Sequence, residues 1–208
     1  MHRIRSAQAS LTGTPSALAN NVFVTICSVE GHEPAYSFEV QCSLLVIASP
    51  WFAKALDGRF LEGQRRRLHF PETHVDVVKA FLYWLFSGNL EVDEFIGKDK
   101  VNPSARVNLI ICCRLWAFGD GHFLPILQND VIRVMNKWVT HDWPSCETIR
   151  EAYLVSSPGA ALRRLILHEL VYGYTSQLVP GEGCNGYTTA EVESLNPCPG
   201  LFADLLRR

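Results

Sequence analysis

A change of hydrophobic period near residue 42 constrains this chain more than any other feature. Upstream, VFVTICSV (22–29) is rich in β-branched and aromatic residues, and YSFEVQ (36–41) alternates apolar with polar. Both read as strands, and EGHEPA (30–35) between them reads as a turn, so a β-hairpin is expected. Downstream, apolar residues recur at three- and four-residue spacing. The clearest case is THVDVVKAFLYWLFS (73–87), with Val77, Val78, Phe81, Leu82 and Leu85 on one helical stripe. Strands that come first, followed by a long run of helices, do not build an alternating βαβ sheet. The expected fold class is α+β: a small early β-sheet packed on a helical cluster, with a C-terminal helical extension.

Local chemistry marks the boundaries. CSLLVIAS (42–49) reads as a first short helix. Ser49 is a candidate N-cap with Pro50 at the first helical position of a second one, which WFAKAL (51–56) continues to Asp57-Gly58. RRLHFPE (66–72) reads as a third strand halted by Pro71. Thr73 is the candidate cap of the 73–87 helix, with Asp76 three residues on, and Gly88-Asn89 stops it. Residues 91–104 read as a loop. Helices are expected over 107–121 and 124–139, joined by a tight turn at Asp120-Gly121-His122. There, glycine would supply the special backbone angle and the polar residues would cap or face water. A further helix is expected over 160–172, irregular chain over 180–200, and one terminal turn in LFADLLRR. The organisation read from this is a flexible tail (1–19), a domain (20–139), and a helical extension with an irregular tail (140–208).

The charge balance narrows the partners. There are 19 basic and 21 acidic residues, a formal charge of −2, and such a chain lacks a broad nucleic-acid footprint. Arg65, Arg66 and Arg67, with Arg59 before them, are the local exception. They read as a solvated loop, with a docking patch for an acidic partner or a nucleic-acid contact as alternatives. No apolar run reaches the ~18 residues of a membrane span. MHRIRSAQAS lacks an apolar signal core and resembles a transit peptide only weakly. The seven cysteines, Cys27, Cys42, Cys112, Cys113, Cys146, Cys184 and Cys198, read as free thiols in a reducing compartment, cytoplasmic or nuclear. A Cys184–Cys198 disulfide is the alternative.

Searching for reactive constellations yields little. The chain carries no glycine-rich phosphate loop and no His-Glu-x-x-His. His168-Glu169 reads as a surface or hydrogen-bonded pair. Adjacent Cys112 and Cys113 point about 100° apart on a helix, a poor redox or zinc arrangement. Cys42 with His69 or His74 is the one nucleophile–base pairing to inspect. No catalytic residue, metal site or cofactor is expected, and an uncharacterised enzyme is the remote alternative.

The order of elements then carries a resemblance. SFEVQCSLLVIASPWFAKALDGRFLEGQ (37–64) resembles the signature of the BTB/POZ family, through Leu44, Leu45, Ser49, Pro50, Trp51, Phe52, Phe60 and Glu62. LHFPETHVDVVKAFLYWLFSGNL (68–90) is similar to the strand and aromatic-rich helix that follow, and LIICCRLWAFGDGHFLPILQNDVIRVM (109–135) to its paired helices. The short single-domain fungal members look most similar, and SSPGAALRRLILHELVYGY (156–174) looks like their helical tail. Gln41 and Cys42 stand where the family has His then Lys, and Phe23 where it often has Asp. Those charged residues contribute to a pocket at many family dimer interfaces. The resemblance implies an adaptor or oligomerisation module that binds proteins and catalyses nothing. The partners it implies are self-association or a cullin-3 ubiquitin ligase scaffold; the charge balance and the apolar run lengths already argue for no nucleic acid and no membrane. The contact surface it implies includes Phe60, Glu62, Arg114, Phe118, His122 and Phe123, each aromatic being readable instead as core packing. Trp51, Trp84 and Trp116 read as core.

Overall fold

The β-branched start of the chain pairs as the period-two pattern requires. β1 (Phe23–Glu30) and β2 (Glu33–Gln41) form an antiparallel hairpin, from Phe23↔Gln41 at the open end to Glu30↔Glu33 at the turn. The structure, a computed structural model, describes residues 22–30, 33–90, 109–139, 143–176 and 186–207. The tail at 1–19, the loop at 91–104 and Cys184 lie outside those residues. The hairpin is longer than expected, because a register shift at Ser28/Val29 lets pairing continue through most of the EGHEPA stretch. Pro34 is accommodated because β2 is an edge strand, where a missing N–H costs no ladder bond.

Two short helices follow, α1 (Cys42–Ala48) and α2 (Pro50–Ala55). Ser49 caps α2 as its sequence position implies, its Oγ accepting from the Trp51 N–H at 3.0 Å. A one-turn helix that the sequence reading missed, α3 (Leu61–Arg65), leads to β3 (Arg67–Phe70). The arginine run is therefore not a loop: Arg65 ends α3, Arg66 is its left-handed cap and Arg67 opens β3, although all three face solvent. β3 pairs parallel to β1, giving a three-stranded sheet of order β2-β1-β3.

The sheet packs on α4 (Val75–Ser87), α5 (Leu109–Gly121) and α6 (Pro125–Val139). The cap of α4 is His74, not Thr73, its Nδ1 accepting from the Asp76 N–H. Gly88 ends α4 in the left-handed conformation. Phe52, Phe81, Ile26, Leu45, Leu68, Leu115 and Leu127 are fully buried, each worth about 1.5–3 kcal/mol of burial. Trp84 and Trp116 are buried as read, while Trp51 is only half-buried. The Trp84 indole N–H donates to Asp130 at 2.9 Å, and Asp130 also pairs with Arg133. A buried carboxylate needs such partners.

The C-terminal part is more regular than its Gly and Pro content suggested. α7 (Cys146–Val155) was not expected; Ser145 caps it by accepting from the Thr148 N–H. α8 (Ala161–Ser176) covers the stretch expected at 160–172 and extends it. α9 (Thr189–Ser194) replaces the irregular chain expected there, because Thr188 and Glu191 complete a capping box. α10 (Leu201–Leu206) forms the terminal turn. Arg163 binds these pieces together. It is 9% exposed, donates to Ser156 and to the Tyr153 carbonyl, lies over the Tyr153 ring and faces Asp204 on α10. One cluster of buried side chains runs from Val24 in β1 to Leu201 in α10. Among the described residues no helix is long and apolar enough to cross a membrane.

Candidate protein-docking site

The corner between α5 and α6 holds one of the two left-handed non-glycine residues of the described chain, the other being Arg66. The Leu124 N–H bonds back to the Gly119 carbonyl at 2.8 Å, and the Phe123 N–H to the Asp120 carbonyl at 3.3 Å. That nested pair of bonds is a Schellman closure, whose next-to-last residue must turn left-handed. The residue in that place is Phe123, with φ 52°, so glycine does not supply the special angle as the sequence suggested. A left-handed phenylalanine costs about 1–2 kcal/mol that glycine would avoid. Its ring gains little in return, being 63% exposed, and Ile126 beside it on the first turn of α6 is 67% exposed.

A hydrogen bond fastens this corner to α2. Ser49, 1% exposed, donates through Oγ to the His122 carbonyl at 2.5 Å while capping α2. The His122 ring lies 4.1 Å from Phe118 and 4.5 Å from Trp51 between ring centroids, with Phe52 and Phe70 close by. Its Nδ1 donates to the Phe118 carbonyl at 2.7 Å, which fixes the Nδ1–H tautomer of the neutral ring. Burial pushes its pKa below the usual histidine value despite that bond. His122 does not turn to water as expected, and Phe118 at 6% exposure takes the core-packing reading, because the aromatic box needs both rings.

Beside the corner runs an open groove of about 690 Å³, between the start of α4, α5 and α7. Val75, Val77 and Phe118 are its buried apolar lining, and Glu72, Arg114 and Glu151 also line it. Arg114 donates through Nε to Glu151 at 2.6 Å. That bond raises the Arg114 pKa further. The groove thus brings together Arg114, Phe118 and His122 of the sequence candidates.

Phe60 and Glu62 stand apart from these. Both are exposed at the start of α3, and no hydrogen bond, ion pair or ring contact among the described residues joins them to the other four. What holds them out is a close backbone approach: a Cβ on Gly63 would lie 2.5 Å from the Gly58 nitrogen, so only glycine lets α3 pack on that turn. Sequence reasoning missed Ile126, Leu154 and Glu151. Ile126 was detectable, since it falls off the Leu127–Val131–Met135 stripe of α6. Glu151 and the exposed Leu154 were not, because α7 itself was unread.

Other chemistry finds little support in the geometry. Cys42 makes no hydrogen bond to His69 or His74 among the described residues, and burial raises its thiol pKa, opposite to an activated thiolate. Cys112 is pushed up to about 12 by burial. Cys27, Cys42, Cys112, Cys113, Cys146 and Cys198 are free thiols. His168 and Glu169 form the side-chain pair expected of them, at 2.9 Å. Among the described residues no group of three or more His, Cys, Asp or Glu side chains could hold a metal ion. No protein-family model matches the chain, and no curated protein matches it.

Proposed function

We propose that this chain is a protein-docking module of the BTB/POZ type, acting as an adaptor or oligomerisation unit and catalysing no reaction. The observation that carries this reading is Phe123. An exposed aromatic ring in a left-handed backbone is doubly unfavourable in an isolated domain, and such strain concentrates where a surface is used. Aromatic anchors beside well-packed walls are what docking surfaces spend their energy on. Support also comes from the order of elements, a hairpin, short helices, a third strand and paired helices, which is the order on which the resemblance rests.

A second, narrower reading is a substrate adaptor of a cullin-3 type ubiquitin ligase, working in the cytoplasm or nucleus. The exposure of Phe60 and Glu62 together favours it, because the resemblance puts them on that contact surface. Phe23 and Gln41, paired across the hairpin, stand where the family carries charged residues of its dimer pocket, which weighs against the self-association reading. Two measurements separate these forms. Light scattering over a tenfold concentration range reports self-association. Titration with the purified cullin-3 N-terminal domain reports the ligase reading, with Phe60→Ala and Phe123→Gly expected to weaken binding at least tenfold. A monomer that ignores cullin-3 removes both named forms.

A further inference from the structure

Among the described residues the margin of β3 combines open backbone with unpaired charge. The backbone follows from the parallel pairing with β1, in which the Thr25 N–H donates to the Arg66 carbonyl and Cys27 lies opposite His69. A parallel ladder engages alternate residues of a strand, so the inner bonds of β3 fall to Leu68 and Phe70. The N–H and C=O groups of Arg67 and His69 therefore point away from the sheet. Their side chains are exposed on one face of the strand, while Leu68 and Phe70 are buried on the other. The charge comes from Arg65, Arg66 and Arg67, all exposed, whose side chains make no hydrogen bond or ion pair among the described residues. Arg59, by contrast, is tied to Asp57. Glu62 and Glu72 flank the run in sequence, yet neither pairs with it.

These two features select an occupant together. An added strand would satisfy the outward groups of Arg67 and His69, and every second side chain of it would lie beside theirs. Carboxylates at those positions meet free guanidinium groups. A basic strand, or a second copy of this margin, would set like charges side by side. The opposite margin, on β2, bears Glu39 and has no N–H at Pro34, so it does not suit an acidic strand. We propose that the β3 margin docks an extended acidic segment of a partner protein, added as a further strand with Asp or Glu at alternate positions. The proposal does not rest on the Phe60 and Phe123 surface.

The test uses fluorescence anisotropy with the full chain and a labelled peptide of alternating Glu and Val. It is expected to bind saturably, at least tenfold tighter than the same peptide with Lys for Glu, and to weaken as salt is raised. Two further peptides of equal charge are N-methylated, one at every Val and one at every Glu. A docked strand donates through alternate N–H groups, so one of the two should lose at least tenfold and the other should bind nearly as the parent does. Arg67→Glu should weaken the parent peptide about tenfold, and Arg65→Glu, outside the sheet, about threefold; both positions are exposed, and circular dichroism checks that the variants fold. Absence of saturable binding, indifference to Arg67→Glu, or an equal response to the two methylated peptides overturns the proposal. So does tighter binding of a single-stranded oligothymidylate, which would mark a nucleic-acid patch instead. Because cullin-3 is absent from this assay, none of those outcomes bears on the Phe123 reading.

Discussion

Phe123 offers a measurement that isolates backbone strain from everything else at the docking corner. Comparing Phe123→Ala with Phe123→Gly removes the ring in both, so the lost burial cancels. What remains is the left-handed φ of 52°. An L-residue there costs about 1–2 kcal/mol that glycine escapes. Glycine gives back about 0.4–1 kcal/mol through the extra freedom of its unfolded chain. The glycine variant should therefore be the more stable by about 0.5–1 kcal/mol, the reverse of the usual Ala over Gly order. For a chain of this length that is a difference of about 1–4 °C in Tm. Paired urea and thermal melts read it directly. An alanine variant equal to or more stable than the glycine variant would mean that residue 123 is not left-handed in solution, and the strain argument for the corner would fall.

Other outcomes follow from contacts described above. Arg163→Met keeps the aliphatic stem but removes charged bonds to Ser156 and the Tyr153 carbonyl, and it should cost about 3 kcal/mol in urea unfolding; a loss below about 1 kcal/mol would contradict its role. Trp84→Phe deprives buried Asp130 of its indole donor and should cost about 1.5–3 kcal/mol, with a smaller loss after Asp130 is also removed in a double-mutant cycle. His122 titrates lower in the folded chain than unfolded, so its contribution is present above the unfolded value of about 6.5 and is lost as pH falls through the folded one. His122→Gln should flatten that part of the stability profile, and an unchanged acid limb would count against burial as the cause. Ser49→Ala should cost about 1–2 kcal/mol, since it loses a helix cap and the bond to the His122 carbonyl together.

The sequence exposed the fold wherever one local rule acted alone. The hairpin, the Ser49-Pro50 start of α2 and the stripe of α4 each follow from period or capping, and the structure contains all three, the hairpin with longer strands than read. α9 was legible too, because Thr188 and Glu191 spell a capping box; glycine and proline nearby drew attention away from it. Arg66 was not legible, since its left-handed cap depends on α3 packing against the Gly58 turn. The candidate site divides the same way. Phe60 and Phe123, named only through the resemblance, are exposed, while Phe118 and His122 belong to an aromatic box whose members come from α2, β3, α5 and the turn after it. Composition cannot reveal that convergence. Nor could it give the Arg114–Glu151 pair, which spans two helices, one of them unread.

The parallel third strand has a consequence for how the molecule behaves in a crowded solution. Among the described residues β3 lies at the margin of the sheet, and a strand margin offers its outer N–H and C=O groups to any extended chain that drifts past. This strand is only four residues long, and its outward positions are Arg67 and His69, next to Arg65 and Arg66. Positive charges so placed repel a second copy of the same margin and keep water on the backbone. The arginine run is thereby a guard against edge-to-edge aggregation, and a chain that lost it would carry a sticky seam along its sheet.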